Sequence, residues 1–244
     1  MPGKADMGKT YAVFGHYGSG KTEFSVNYGI YLKNRGHNVT LLDMDIANPY
    51  FRSRERQKLL QEKGIDIIFN AYGFDIAEDM PAISPRIRAP LEDPDMDTVV
   101  DIGGNDSGAR IIRQFIKYFE HDDVARLLVV NANRFETDTL EGALFHLNAI
   151  ETEIELPITG IINNTHMLAE SKPDDVIKGH DLCMELSEKT KIPVVLDTCL
   201  RAFENELKGK GLDLLPMDHY MRPSWLDAEV FFAQGFYFIF IQGA

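Results

Sequence analysis

Near its start the chain reads Gly15-His16-Tyr17-Gly18-Ser19-Gly20-Lys21-Thr22, a match to GxxxxGK[ST] placed between the apolar run Tyr11 to Phe14 and a segment of helical character from Lys21. Such a pattern constrains the fold, because the glycines must curl the backbone off the end of a strand and deliver it into a helix. In that conformation successive amides point inward and the helix N-terminus adds partial positive charge, which makes the loop a cradle for phosphates. Lys21 then reaches the β and γ phosphates as a point charge, and the Thr22 hydroxyl offers an oxygen to Mg²⁺. The candidate nucleotide contacts are Gly15, Tyr17, Gly18, Ser19, Gly20, Lys21, Thr22 and Glu23, with Lys21 also a catalytic candidate and ATP the expected ligand.

The rest of the chain repeats the alternation that the loop begins. Short runs rich in Val, Ile and Leu recur at Tyr11 to Phe14, Val39 to Leu42, Ile65 to Phe69, Thr98 to Ile102, Leu127 to Val130, Ile158 to Ile162 and Val194 to Leu196. They are continuous rather than alternating, as strands covered on both faces must be. Longer amphipathic segments, Lys21 to Arg35, Ser107 to Phe119, Thr137 to Ile150, Asp174 to Lys189 and Ser224 to Phe232, predict helices. The expected fold is α/β: a doubly wound, mostly parallel sheet of about seven strands with helices on both faces, in one domain spanning residues 1–244. The stretch Asn70 to Met96 breaks this rhythm, with Pro81, Pro85, Pro90 and Pro94 and the basic pair Arg86 and Arg88. It reads as a long loop, functional or merely irregular.

Carboxylates fall where a cation beside the phosphates would need them. Strand two ends in Asp43-Met44-Asp45-Ile46-Ala47-Asn48-Pro49, and residues two apart in an extended chain share a face, so Asp43 and Asp45 both point toward one Mg²⁺-phosphate centre. A solvated pair capping a turn is the other reading. Strand four closes on Asp101-Ile102-Gly103-Gly104, a carboxylate that would hold Mg²⁺ through water and a glycine, Gly104, whose amide would face the γ phosphate. A plain strand-end turn is the competing reading. The metal candidates are Thr22, Asp43 and Asp101.

Composition narrows the partners. Hydrophobic residues at 44% and charged residues at 26% of a 244-residue chain exclude a disordered or fibrous protein. The net charge of −13 repels phosphate backbones and anionic lipid surfaces, so neither nucleic acid nor membrane is expected as a partner. Cys183 and Cys199 form no CxxC pair and read as buried thiols. No secretory segment is evident at the start, and the run Val230 to Ile241 is too short to span a bilayer, so the expected compartment is cytoplasmic.

With these motifs the sequence resembles the MinD/ParA/Mrp group of P-loop ATPases over nearly its whole length. The segment Leu41 to Pro49 looks like the switch I region of Mrp-type members, which implies that Asp45 orients the attacking water and Asp43 supports Mg²⁺. Gly160 to Thr165 is similar to the segment whose Asn hydrogen-bonds the adenine ring; Asn164 aligns best, with Asn163 as its neighbour. The continuation Thr165-His166-Met167 lacks the Lys and Asp of a guanine-reading NKxD, which favours ATP over GTP. The family's lysine at the second loop position is His16 here, and Arg52 and Arg54 are either substitutes for its charge or exposed arginines at a helix start. The resemblance implies a slow ATPase that acts as a switch or accessory factor for a protein partner, with ATP and ADP as its ligands, and a homodimer. A small-molecule kinase or ligase, and a nucleotide-gated binding module without turnover, are the alternatives.

The loop chemistry yields a direct expectation. Lys21→Ala removes a charge aimed at phosphate and little packing, so it weakens ATP binding about a hundredfold or more in calorimetry while the circular dichroism spectrum stays that of the parent.

Overall fold

All the strands run in one direction, because each is joined to the next by a crossover that returns the chain to the same end of the sheet. The computed structural model describes residues 10–44, 54–69, 85–104, 112–113 and 115–221. The strands are β1 (Thr10–Gly15), β2 (Val39–Met44), β3 (Asp66–Phe69), β4 (Asp97–Ile102), β5 (Val124–Val130), β6 (Gly160–Asn163), β7 (Val194–Leu200) and β8 (Leu214–Met217). They form an eight-stranded sheet in the order β3-β2-β4-β1-β5-β6-β7-β8. The expected three-layer α/β/α architecture is thus found, with eight strands instead of about seven. The extra strand, β8, holds Pro216 and pairs only with β7, and an edge strand tolerates a residue without an N–H.

The two faces of the sheet pack against different helices. Helix α1 (Lys21–Asn34) and α2 (Arg54–Glu62) cover one face, where Phe24, Tyr28, Leu32 and Leu60 meet Tyr11, Val13, Leu41 and Val99. On the other face α4 (Leu140–Ile154) and α5 (Pro173–Thr190) set Ala143, Leu147, Cys183 and Leu186 against Phe14, Leu128, Val130 and Ile161. Strand β5 is buried along its whole length and is apolar except at Arg126, whose guanidinium donates to the carbonyls of Pro157 and Phe119, both at 2.6 Å. Both cysteines are buried and unpaired, as expected, and burial pushes the thiol of Cys183 above its usual range.

Three expected elements change. Helix α4 begins at Leu140 rather than Thr137, because the Thr139 hydroxyl caps it by accepting the Gly142 amide, while Thr137 spends its own hydroxyl on the Asn131 carbonyl. In the described part of Ser107 to Phe119, the α-helix present at Ile112 and Arg113 gives way to a short 3-10 turn at Ile116–Tyr118. Its bonds close three residues back, which still buries Ile112, Phe115 and Phe119. The proline-rich stretch is not irregular throughout: α3 (Pro85–Glu92) opens at a proline, whose missing N–H costs nothing in a first turn. The helix expected at Ser224 to Phe232 lies outside the described residues. Among the described residues no helix is long and apolar enough to cross a membrane.

A short helix, α6 (Glu204–Leu207), follows β7. Packing of α5 onto the end of β6 leaves no room at Gly179, where a Cβ would overlap Thr165 Oγ1 and Asn163 Oδ1, both buried and already hydrogen-bonded. Gly179→Ala is therefore expected to destabilise the fold by about 2 kcal/mol, read as a lowered midpoint in denaturant unfolding.

Candidate functional site

Because the sheet is parallel, the carboxyl ends of β1, β2, β4, β5, β6 and β7 share one edge, and β1 lies where the strand order reverses. The loop from Gly15 to Gly20 leaves β1 at this point. Gly18 and Gly20 have φ of 76° and 83°, values that a side chain makes costly, and Gly20 delivers the chain into the first turn of α1. The loop is closed by Ser19 N–H donating to the His16 carbonyl at 3.1 Å, and the Lys21 ammonium donates to the same oxygen at 3.1 Å. Lys21 is only 6% exposed, so its charge is held within the loop.

The turn after β4 is pressed onto this loop. Thr22 Oγ1 donates to Asp101 Oδ2 at 2.6 Å, and Asp101 is 2% exposed. A Cβ on Gly104 would lie 2.7 Å from Lys21 Nζ and 2.8 Å from the Tyr17 amide, so only glycine lets the turn approach. Asp43 pairs in register with Asp101 across β2 and β4. Thr22, Asp101 and Asp43 are thus brought together, an all-oxygen set that suits a hard divalent cation. Ser19 Oγ is buried without a hydrogen-bond partner among the described residues, as a hydroxyl lining a phosphate cradle would be. Asp45 and Arg52 lie outside the described residues.

At the other end of the loop the two asparagines after β6 separate. Asn164, 1% exposed, donates to the Ser19 carbonyl at 2.7 Å and accepts from the Thr198 hydroxyl at 2.6 Å, tying β6 and β7 to the phosphate loop. Asn163 turns away and donates to the Val176 carbonyl and to Asp197 Oδ1, both at 2.8 Å. The Glu23 carboxylate accepts the amides of Tyr220 at 2.6 Å and Met221 at 3.1 Å. Asn27 exchanges hydrogen bonds with the backbone of Asp218, so the chain after β8 is fastened along α1. Tyr17 is 67% exposed, and its backbone rather than its ring faces the loop. The His16 ring lies 4.4 Å from that of His146 on α4, whose pKa is lowered by burial and then by the His16 charge.

Two residues beside the loop were not singled out from the sequence as site residues. Arg134, between β5 and α4, donates through Nε to the Gly18 carbonyl at 2.9 Å. His166 stands over Gly20, where a Cβ would be 2.9 Å from its Nε2, and its pKa is lowered to about 4 by burial and then by the Arg134 charge. The available signal was position alone: polar residues directly after the apolar ends of β5 and β6.

Residues 13–175, more than half of the chain, match the sequence profile of the CobQ/CobB/MinD/ParA nucleotide binding domain. The chain belongs to this family. No curated protein sequence matches it significantly. Among solved structures, this CobQ/CobB/MinD/ParA domain is similar to the cell division protein ftsY from Thermotoga maritima, with 18% identity, 76% of this chain and 59% of that chain covered, and a TM-score of 0.45. It is also similar to FlhF complexed with GTP and Mg²⁺ (15%, 80% and 68% covered, TM-score 0.46). A third is the nucleotide-binding protein in complex with ADP from Archaeoglobus fulgidus (14%, 78% and 82% covered, TM-score 0.41). The chain spans about three fifths of the length of the ftsY structure.

His166 sets a pH dependence of this family member's stability. Its neutral form is favoured in the folded state, so between its ordinary value and about 4 the unfolded chain binds more protons. Stability therefore falls as pH drops from about 6.5 to about 4, by roughly 3 kcal/mol. In denaturant unfolding at about pH 7, 5.5 and 4.5, His166→Asn should lose less stability than the parent over this window.

Proposed function

We propose that the chain is a Mg²⁺-dependent ATP-binding protein that hydrolyses the γ phosphate slowly and uses the change as a switch toward a protein partner. The observation that carries this reading is the seam between the phosphate loop and the turn after β4: Thr22 on Asp101 at 2.6 Å, with Gly104 against Lys21 and Tyr17. In this reading the loop amides and Lys21 bind the β and γ phosphates, and Gly104 offers its amide to the γ phosphate. A turn that touches both the loop and the γ phosphate loses one of its contacts when that phosphate leaves, which supplies the differential interaction a switch requires.

Thr22, Asp101 and Asp43 would hold Mg²⁺, which when bound neutralises charge on the phosphate oxygens. Asp45 would orient the water that attacks the γ phosphorus, with ADP and inorganic phosphate as products. ATP is preferred over GTP because the residues after Asn164 are Thr165, His166 and Met167, which supply no carboxylate to read a guanine edge. Asn164 keeps one amide hydrogen beyond its bond to Ser19, and that hydrogen would meet the adenine ring. We infer a single domain acting as a cytoplasmic homodimer.

Calorimetry with ATP and GTP, each with Mg²⁺ and with chelator, tests the site. ATP should bind in a Mg²⁺-dependent manner and at least about tenfold more tightly than GTP. Asp101→Asn should remove most of the Mg²⁺ dependence, and Asp45→Asn should abolish slow phosphate release while ATP still binds. A folded parent that gives no heat with any purine triphosphate would overturn the reading, and equal or tighter GTP binding would overturn the base assignment.

A further inference from the structure

Arg134 is held against the phosphate loop by two features at once. Its Nε donates to the Gly18 carbonyl at 2.9 Å, and its guanidinium lies over the Gly18 Cα, so that a Cβ there would come within 3.2 Å of Nε and 3.3 Å of Cζ. Gly18 is thus glycine for two reasons: a positive φ and the room its missing side chain leaves for the arginine. The two terminal nitrogens of Arg134 have no hydrogen-bond partner, and no carboxylate pairs with it, among the described residues. In a chain of net charge −13 this is notable, because acidic side chains are abundant and a half-buried guanidinium without an anion forgoes its strongest interactions.

The segment that carries Arg134 is rigid. Its amide donates to the Asn131 carbonyl at 3.1 Å, and the Thr137 hydroxyl donates to the same oxygen at 2.8 Å. Ala132 N–H donates to Thr165 Oγ1 at 3.0 Å, and Lys178 Nζ donates to the Ala132 carbonyl at 2.9 Å. Asn133 reaches Asp175 Oδ1 on α5 at 2.8 Å. The loop after β5 is thereby fastened to β6 and α5, and the arginine is positioned before any ligand arrives. A cation fixed in advance loses little side-chain entropy on binding, which is how a binding site gains affinity from a long, flexible residue.

From this arrangement we propose that Arg134 is a second cation of the nucleotide site, acting from within the same chain: its terminal nitrogens face the bound nucleotide and add to Lys21 in neutralising the polyphosphate. A nucleoside triphosphate with Mg²⁺ still carries net negative charge, and Lys21 offsets only one unit of it. The loop after β5 supplies the next. This inference rests on the nucleotide-site reading above.

The test compares the full-length parent with Arg134→Gln and Arg134→Lys, using Lys21→Ala as the control for a broken site. Calorimetry measures ATP and GTP binding with Mg²⁺, and thermal melting without nucleotide reports on the fold. Arg134→Gln should weaken triphosphate binding by at least about tenfold, with a melting midpoint close to the parent's. Arg134→Lys should lose less, because it keeps the charge, and the deficit of the Gln variant should shrink as salt is raised. Binding by Arg134→Gln within about twofold of the parent would overturn the inference while leaving the nucleotide site intact. Equal impairment of both variants with a lowered melting midpoint would also overturn it, since Arg134 would then be only a brace for the Gly18 carbonyl. A parent that binds no nucleotide would instead sink the site reading on which the inference rests.

Discussion

The hydrogen bond of 2.6 Å between Thr22 and Asp101 joins two segments that are 79 residues apart in sequence, the first turn of α1 and the end of β4. It exists because β1 and β4 are parallel neighbours in register, Val13 opposite Asp101, so that both strands release their chains at the same edge. Once this contact is made the neighbouring geometry follows. Gly104 comes to rest on Lys21 and the Tyr17 amide, and Asp43 is drawn beside Asp101 through the pairing of β2 with β4. The oxygen-rich centre and the phosphate loop are two sides of one seam.

A second set of interactions fixes the opposite flank of the loop. Asn164 links the Ser19 carbonyl to Thr198, Arg134 caps the Gly18 carbonyl, and Glu23 with Asn27 fastens the chain after β8 to α1. Each of these uses a side chain to satisfy backbone groups of a segment distant in sequence. A loop whose amides are to face a ligand must have its carbonyls occupied on the outer side, and Asn164 and Arg134 do this for consecutive carbonyls.

The layered α/β fold, the phosphate loop and the acids at Asp43 and Asp101 were legible because they depend on local signals: unbroken apolar runs, glycines at fixed offsets and a carboxylate at a strand end. Strand β8 was not, since Leu214 to Met217 is short and contains Pro216, and only its pairing with β7 makes it a strand. The helix expected from Ser107 is α-helical at Ile112 and Arg113 and tightens to a 3-10 turn only at Ile116–Tyr118. Asn163 and Asn164 were indistinguishable by residue type, and alternation along β6 is what sends one toward α5 and the other toward the loop. The partners of the Glu23 carboxylate, amides almost two hundred residues later, carried no local signal.

By itself the sequence determined that a strand, a glycine loop and a helix follow one another with a lysine and a threonine at the helix start, because backbone conformation near glycine and proline is set by neighbouring atoms. Only the tertiary structure decided which carboxylate meets Thr22, which asparagine meets the loop and that Arg134 reaches Gly18. Those pairings depend on strand order and register, and the order β3-β2-β4-β1-β5-β6-β7-β8 is fixed by how the helices bury both faces of the sheet.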